Sequence, residues 1–457
     1  MVNSCLFFYF WPMLVFIVVA SIVLLLALIL YFRINAFVSL LIASIFVGIT
    51  TGMPLEEILK SVQSGMGSIL GFVAIVVGLG SIFGKILEHS GGADVLAVTL
   101  VSRFGKGKAS WAMMMTGFII AIPVFLDVGF IILVPVVNAL SRNTGKSVLT
   151  YAIPLLAGLA VAHSFIPPTP GPVAVAEILN ADIGMVILYG VIVGIPSAIL
   201  AGPVFGKYIG EKIQIFPDGK DAGTDIMKKK GQPAFGLIVI LILLPLTLIL
   251  MRTVVQTWFG HRQEMVFEIL AFMGHPFSAL ILCVLVASYF LGTRRGLSNS
   301  ELLKLSSDAL GPAGIIILIT GAGGVFKQIL VDSEVGTMLA ELMKDASFSP
   351  IFLGFLIATV VRVTQGSATV AMITAAGFMA PLLDMTDFSD IGRTLTVLAI
   401  ASGATILSHM NDSGFWLVGK YLNLSEKQTL QSWTVAETII SLVSITLIML
   451  LSLLLMP

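Results

Sequence analysis

The sequence contains few charged residues. Lys, Arg, Asp and Glu make up 11% of its 457 residues, whereas soluble globular domains contain roughly 25%. Apolar residue types account for 57% of the chain, and the mean hydropathy is +1.05. This composition excludes an ordinary soluble domain and predicts a protein that crosses a membrane many times. The 25 basic and 25 acidic residues balance, so the charge gives no indication of a nucleic-acid partner.

Cysteine and metal-binding motifs are also scarce. Cys5 and Cys283 are the only cysteines, and both lie in apolar runs. A disulfide framework and a cysteine-based zinc site are therefore excluded. The sequence has no H-E-x-x-H motif, so we expect neither a metal nor any other cofactor. The first apolar run is long enough to span a membrane and is followed directly by another, which indicates a retained helix rather than a cleaved signal peptide.

Long apolar runs dominate what is present. Each approaches the roughly 20 residues that a membrane-spanning helix needs. Eight such runs lie near 11–32, 34–52, 67–88, 184–206, 234–251, 266–291, 312–331 and 432–456. Four further apolar regions are interrupted midway by Pro, Gly and polar residues: 109–141, 148–179, 349–383 and 393–421. The pattern predicts an all-α polytopic membrane protein.

Two halves of the chain resemble each other. The segment GLGSIFGKILEHS at 78–90 resembles GAGGVFKQILVDS at 321–333, and His163 aligns with His409. We therefore predict a duplication. The predicted units are N-terminal scaffold helices (1–54), a first repeat (55–206, with hairpin 109–141 and broken helix 148–179), a basic loop with linking helices (207–297), and a second repeat (298–457, with hairpin 349–383 and broken helix 393–421).

Basic residues predict the orientation of these repeats. Loops rich in Lys and Arg tend to face the cytoplasm, which places the basic loop 207–232 there. If region 109–141 is a re-entrant hairpin, runs 67–88 and 312–331 then cross in opposite directions. The repeats are predicted to be inverted, with both chain termini on the periplasmic side.

The interruptions are the candidate sites. Non-helical backbone at membrane depth is tolerated only where it is buried in protein or lines a watery cavity, and paired broken helices are typical of transporter binding sites. The first hairpin tip, AIPVFLDVG at 121–129, contains Asp127. An ionisable group there indicates a proton acceptor or cation ligand. The alternative is a carboxylate that caps a half-helix.

The second hairpin tip is RVTQGSAT at 362–369. Its polar residues are predicted to contact a substrate, and the backbone N–H groups that begin the following half-helix would attract an anion. Arg362 could bind a carboxylate through two hydrogen bonds; its alternative role is to pair with a helix C-terminus or an acidic side chain. The predicted contacts are Arg362, Gln365, Gly366, Ser367 and Thr369.

The first broken helix carries HSFIPPTPG at 163–171. Proline removes backbone donors and leaves upstream carbonyl groups free, so Ser164, Thr169 and the opened backbone are predicted to contact the substrate. A kink that serves only helix packing is the alternative. His163 is a candidate proton carrier, although a buried histidine is often only a hydrogen-bonded structural residue.

The second broken helix carries SHMNDSG at 408–414. Asn411 and Ser413 are predicted substrate contacts. Asp412 and His409 are predicted proton carriers, with the same structural alternative for the histidine.

Several segments together resemble the gluconate permease family, the gluconate:proton symporters of bacteria. They are IPPTPGP (166–172), GGVFKQILVDS (323–333), RVTQGSATVAMITAAG (362–377) and SHMNDSGFWL (408–417). The resemblance covers nearly the whole chain. It implies an inner-membrane carrier of sugar acids, with a fold like the two-hairpin, inverted-repeat carriers of the ion transporter superfamily. It further implies a homodimer, elevator-like motion and a substrate site between hairpin tips and broken helices.

One residue departs from the family pattern. Members have glutamate in an F-x-E-V sequence at the first tip, whereas this chain has Asp127 in FLDV. The shorter side chain predicts a slightly larger site or altered coupling.

The expected function is import of gluconate or a related sugar acid together with protons. A carrier of D-serine, another hydroxy acid or glycerate is the alternative within the family. An intramembrane enzyme using Asp127, His163 and Asp412 is a distant alternative, because no nucleophile or metal set occurs at helical spacing. A channel is the other distant alternative.

Overall fold

The fold is known from a computed structural model that describes residues 16–17, 19–29, 31–217, 232–259, 264–333, 335, 349–385 and 388–456. Within these ranges the regular secondary structure is entirely helical, which confirms the predicted all-α class. Nine helices of the described ranges are long and apolar enough to cross a membrane.

The described residues up to 217 contain ten α-helices. In chain order they are α1 (Val19–Ile29), α2 (Ala36–Thr50), α3 (Leu55–His89), α4 (Gly92–Phe104), α5 (Ala109–Ile120), α6 (Leu126–Thr144), α7 (Leu149–Phe165), α8 (Pro170–Ile178), α9 (Ile183–Ile199) and α10 (Phe205–Lys212). A π-helical turn at Leu200–Val204 joins α9 to α10.

Ten further α-helices follow among the described residues from 232 onward. They are α11 (Phe235–Phe259), α12 (Met265–Met273), α13 (Pro276–Ala287), α14 (Asn299–Asp332), α15 (Pro350–Gln365), α16 (Ala368–Met385), α17 (Asp390–Thr405), α18 (Ser413–Tyr421), α19 (Glu426–Thr429) and α20 (Val435–Leu455). A π-helical turn at Leu430–Thr434 joins α19 to α20, and another at Ser288–Gly292 follows α13.

The two longest helices, α3 and α14, pack against each other. A Cβ atom added to Gly65 would lie 2.6 Å from the carbonyl oxygen of Gly324, and one added to Gly324 would lie 2.5 Å from that of Gly65. Only glycine at both positions allows the backbones to approach this closely.

All four predicted interruptions are present. Region 109–141 forms α5 and α6, and region 349–383 forms α15 and α16, each pair joined by a short non-helical turn. Region 148–179 divides into α7 and α8. Region 393–421 divides into α17 and α18. Clusters of Pro, Gly and polar residues inside apolar stretches therefore marked where these helices stop, whereas the single prolines Pro135, Pro154 and Pro381 lie inside helices.

Several apolar runs differ from expectation; run 67–88, for example, is only the later part of α3, which begins at Leu55. Run 266–291 forms two helices, because Pro276 lacks an N–H group and starts α13 after the break at Gly274 and His275. Run 312–331 is only the end of α14, which begins at Asn299 after a capping box between Ser298 and Glu301. Hydropathy alone does not detect the polar first turns of such a helix.

Two basic side chains fix helix ends near α8. Lys327 on α14 donates to the carbonyl oxygen of Ile178 at 2.7 Å. Arg393 on α17 donates to the carbonyl oxygens of Leu179 and Leu383, each at 2.9 Å. These bonds satisfy terminal carbonyl groups and place positive charge at the negative ends of α8 and α16. They hold α8 in position beside the second half of the chain.

Candidate functional site

A polar cavity with a volume of about 410 Å³ lies among the helix breaks. It lies where the second hairpin tip and the second break face the start of α6 and the end of α7. Its lining residues are Leu126, Asp127, His163, Ser164, Arg362, Gln365, Gly366, Ser367, Ala368, Thr369, Thr405, Asn411, Asp412, Ser413, Gly414, Trp433 and Glu437.

Most of the residues predicted from the sequence line this one cavity. Four segments far apart in the chain, around residues 127, 163, 365 and 412, contribute to it. Among the predicted residues, only Thr169 and His409 do not line it.

Thr169 and His409 make hydrogen bonds to backbone carbonyl groups instead, Thr169 within its own break and His409 at the second hairpin tip. The Thr169 hydroxyl is buried and donates to the carbonyl oxygen of Ile166 at 2.7 Å. Thr169 lines a separate cavity of about 20 Å³ that also touches His163. Nε2 of His409 lies 2.9 Å from the carbonyl oxygen of Val363, which is the structural alternative considered for this histidine.

Arg362 is the central charge of the cavity. It lies in the last turn of α15, and its side chain is only 4% exposed. Nη1 donates to the carbonyl oxygen of Gly366, and Nη2 donates to Oδ2 of Asp412 at 2.6 Å. These contacts are those of the structural role weighed above, a helix C-terminus and an acidic partner. The Nε atom is buried without a hydrogen-bond partner among the described residues.

Asp412 is held by several donors. Oδ2 accepts from Arg362 and, at 2.5 Å, from the hydroxyl of Ser408. Oδ1 accepts from the backbone N–H of Gly414 at 3.0 Å, so Asp412 caps α18. Trp433 Nε1 donates to the Ser408 hydroxyl at 2.8 Å. The carboxylate therefore sits in a network that fixes the second break.

Glu437 is a residue that sequence reasoning did not select. It lies on α20, is 4% exposed, and its Oε2 is 3.7 Å from Arg362 Nη2. A signal was available, because Glu437 is the sole charged residue between 428 and 457. An ionisable residue inside a membrane span is a functional candidate by default. Trp433 and Thr405 were missed because neither position departs from a helical apolar run.

Asp127 takes a different position from that of a cap. It occupies the first turn of α6, whose N-cap is Phe125, and that helix start has no side-chain cap. Asp127 is exposed to the cavity. Water can therefore solvate its carboxylate, which lowers the cost of carrying a charge at this depth.

Gly366 brings the second hairpin tip against the second break. It ends α15 with φ +87°, a left-handed conformation that favours glycine. A Cβ atom here would lie 2.2 Å from the carbonyl oxygen of Asn411. The Asn411 side chain in turn donates to the carbonyl oxygens of Val363 and Thr364 at 2.9 and 3.2 Å.

The start of α16 supplies backbone donors. The first N–H groups of a helix have no partner within the helix, and Ala368 and Thr369 both line the cavity. The Ser367 hydroxyl accepts from the N–H of Val370 at 3.4 Å. This helix start is suited to an anionic group.

Comparison with known proteins assigns this arrangement to a family. The model of the GntP family permeases matches residues 13–454. The chain belongs to the GntP permease family. A gluconate permease of Pseudomonas aeruginosa is 43% identical over 94% of this chain and 96% of its own length. A low-affinity gluconate transporter of Escherichia coli is 40% identical over 93% and 95%, respectively.

A solved structure supports the same fold. The YdaH transporter of Alcanivorax borkumensis superimposes with a TM-score of 0.65, covering 86% of this chain and 88% of its own, at 13% identity. As a GntP permease, the protein is a multi-pass membrane transporter and not an enzyme. The predicted family is thereby confirmed.

Proposed function

We propose that this GntP permease imports gluconate or a related sugar acid across the bacterial inner membrane by proton symport. The observation that carries the proposal is the cavity itself, in which a buried guanidinium lies among hydroxyl, amide and carboxyl groups. The relatives named as gluconate permeases support the same substrate class.

The chemistry of the lining suits a polyhydroxy monocarboxylate. Hydroxyl and amide side chains can both donate to and accept from sugar hydroxyl groups. Arg362 and the N-terminus of α16 provide positive potential for the carboxylate. The proposed contacts are Ser164, Arg362, Gln365, Gly366, Ser367, Thr369, Asn411 and Ser413. Thr169 has its hydroxyl bonded to Ile166, so it would act by holding the first break open.

The charges around the cavity support coupling to a cation. Asp127, Asp412 and Glu437 line the cavity with a single Arg362, which contacts the last two, so the fully ionised site is negative before an anion enters. Like charges in a poorly solvated site repel strongly. A proton bound with each substrate removes this obstacle. Of the candidate proton-binding groups selected from the sequence, Asp127, Asp412 and His163 face the cavity, whereas His409 contacts the Val363 carbonyl.

We further propose inverted repeats over 55–206 and 298–457, each with a re-entrant hairpin. The order of elements supports the duplication, because a long helix, a helix pair, a divided helix and a helix with a π-helical turn occur in each part; the inversion rests on the distribution of basic residues. The remaining units, 1–54 and 207–297, would be scaffold and linking segments. A homodimer with elevator-like movement and periplasmic termini completes the proposal.

Uptake into proteoliposomes tests the function. We expect saturable accumulation of labelled gluconate that depends on an inward pH gradient and stops when an uncoupler is added. Equal uptake with and without the gradient would refute proton symport, and uptake that never exceeds equilibrium would indicate a channel. Competition by D-serine or glycerate but not by sugar acids would shift the substrate assignment within the family.

A further inference from the structure

We propose that Glu437 binds the transported proton and that its protonation makes Arg362 available to the carboxylate of the substrate. The inference rests on the proposed proton-coupled import of a sugar acid. It assigns the coupling step to a carboxyl group on α20, outside the hairpin tips and breaks.

Glu437 is buried and lies at some distance from its cation. Its side chain is 5% exposed, so little water is available to solvate a charge. Its contact with Arg362 Nη2, at 3.7 Å, is longer than the 2.6 Å contact of the same atom with Asp412. A buried carboxylate needs close pairing to remain ionised. Here Asp412 already occupies the closer position beside Arg362 Nη2.

The negative charges of the three carboxylates are not equally stabilised. Asp412 accepts from Arg362, Ser408 and the N–H of Gly414. Hydrogen bonds to a carboxylate favour its ionised form. Asp127 is exposed to the cavity, where water can solvate it. Glu437 is buried and shares its cation, so the negative charge of the site is most readily removed there.

The groups that face Glu437 from neighbouring elements are consistent with this role. Arg362 reaches it from α15 and Asp412 from the start of α18. Asp127 and His163 lie across the same cavity on α6 and α7. Arg362 is the sole permanently charged cation among the cavity-lining residues, so a negative Glu437 and an anionic substrate compete for one guanidinium.

The proposed cycle balances charge and protons. A proton from water forms an O–H bond on the Glu437 carboxylate, which ends its ion pair with Arg362. The substrate carboxylate then binds the guanidinium, whose Nε donor is buried and has no partner among the described residues. After the substrate leaves on the other side, the O–H bond breaks, the proton passes to water, and the ion pair forms again. One anion and one proton cross together.

Substrate affinity measured across pH tests this assignment. Purified protein is titrated with gluconate by calorimetry from about pH 5 to about pH 9, and log Kd is plotted against pH. Wherever Glu437 is ionised in the substrate-free wild type, we expect affinity to fall about tenfold per unit rise in pH, because one proton binds with each substrate. E437Q should bind gluconate with a nearly flat profile, since the amide mimics the protonated acid.

Transport measurements add an independent readout. In proteoliposomes, E437Q should exchange internal for external gluconate, because exchange requires no net proton movement, yet fail to accumulate it under a pH gradient. E437D keeps a carboxyl group and should restore both the pH slope and some accumulation. A purely structural role would not separate exchange from accumulation in this way.

Several outcomes would overturn the assignment. They are a flat wild-type profile, gradient-driven accumulation by E437Q, or E437Q with wild-type thermal stability that binds no gluconate at any pH. If E437Q fails to fold, D127N and E437D decide together: a slope that disappears in D127N assigns the proton to Asp127, a slope that is retained in D127N and displaced along the pH axis in E437D supports Glu437, and a slope unchanged in both overturns the assignment. Wild type that binds no sugar acid would refute the proposed function itself, and binding without a slope would refute only the role of Glu437.

Discussion

Replacing Gly366 with alanine tests whether the contact between the second hairpin tip and the second break is required for transport. The new Cβ atom would lie 2.2 Å from the carbonyl oxygen and 2.6 Å from the carbonyl carbon of Asn411. Both are backbone atoms and cannot rotate away. The matched control is Gly145→Ala, because Gly145 also ends a helix with positive φ (+67°) but would meet nothing within 4 Å.

Both substitutions place alanine in a left-handed conformation, but only G366A also creates a steric clash. A left-handed alanine costs roughly 1–2 kcal/mol in either place. Each glycine also donates its N–H to a carbonyl four residues earlier at 2.9 Å, so the local hydrogen bonding is the same. Only G366A forces the tip and the break apart, by about 1 Å or more to reach an ordinary contact. A displacement of this size at a functional site costs about 100-fold in rate.

Initial rates of gluconate uptake in proteoliposomes, with thermal unfolding in detergent, distinguish the two effects. We expect G145A to transport within about threefold of wild type and G366A to transport about 100-fold more slowly, with unfolding temperatures lowered in both. Equal transport by the two variants would refute the reasoning. So would a G366A that unfolds before uptake is measured, because the clash would then be a stability effect alone.

Two further substitutions test the network around Arg362. R362K keeps the charge but loses the planar group that holds both Gly366 and Asp412, so we expect gluconate affinity by calorimetry to fall at least about tenfold; wild-type affinity would show that a point charge suffices. W433F removes the donor to Ser408 at 2.8 Å and should lower the free energy of unfolding by about 1 kcal/mol, measured by denaturation in detergent. Because Ser408 still donates to Asp412, uptake by W433F should change only a few-fold; complete loss would contradict this.

The sequence was informative wherever a local rule was broken. Clusters of Pro, Gly and polar residues inside apolar runs marked all four interruptions, because such residues disfavour continued helix; single prolines such as Pro135 and Pro154 did not stop their helices. Residues of these clusters supplied most of the cavity lining. Asp412 was selected because it stands in a polar break, where a carboxylate is conspicuous.

What the sequence could not predict depends on contacts between distant elements. Glu437 sits on an otherwise apolar helix, and only the fold places it beside Arg362, far away in the chain. Thr169 and His409 looked equivalent to their neighbours in composition, yet each side chain contacts a nearby backbone carbonyl instead of the cavity. Side-chain direction at an irregular break is set by backbone angles that no periodic pattern encodes.

The bonds between the second tip and the second break have a mechanical consequence. Asn411 and His409 contact the carbonyl groups at the end of α15. Arg362 donates to Asp412 across the same contact between tip and break. Separating the tip from the break would disrupt several hydrogen bonds at once, each contributing about 1 kcal/mol to stability and the charged pair more. These contacts therefore hold the second hairpin tip and the second break together as one rigid unit. Whatever movement exposes the bound substrate to each side of the membrane, the tip and the break travel as one piece.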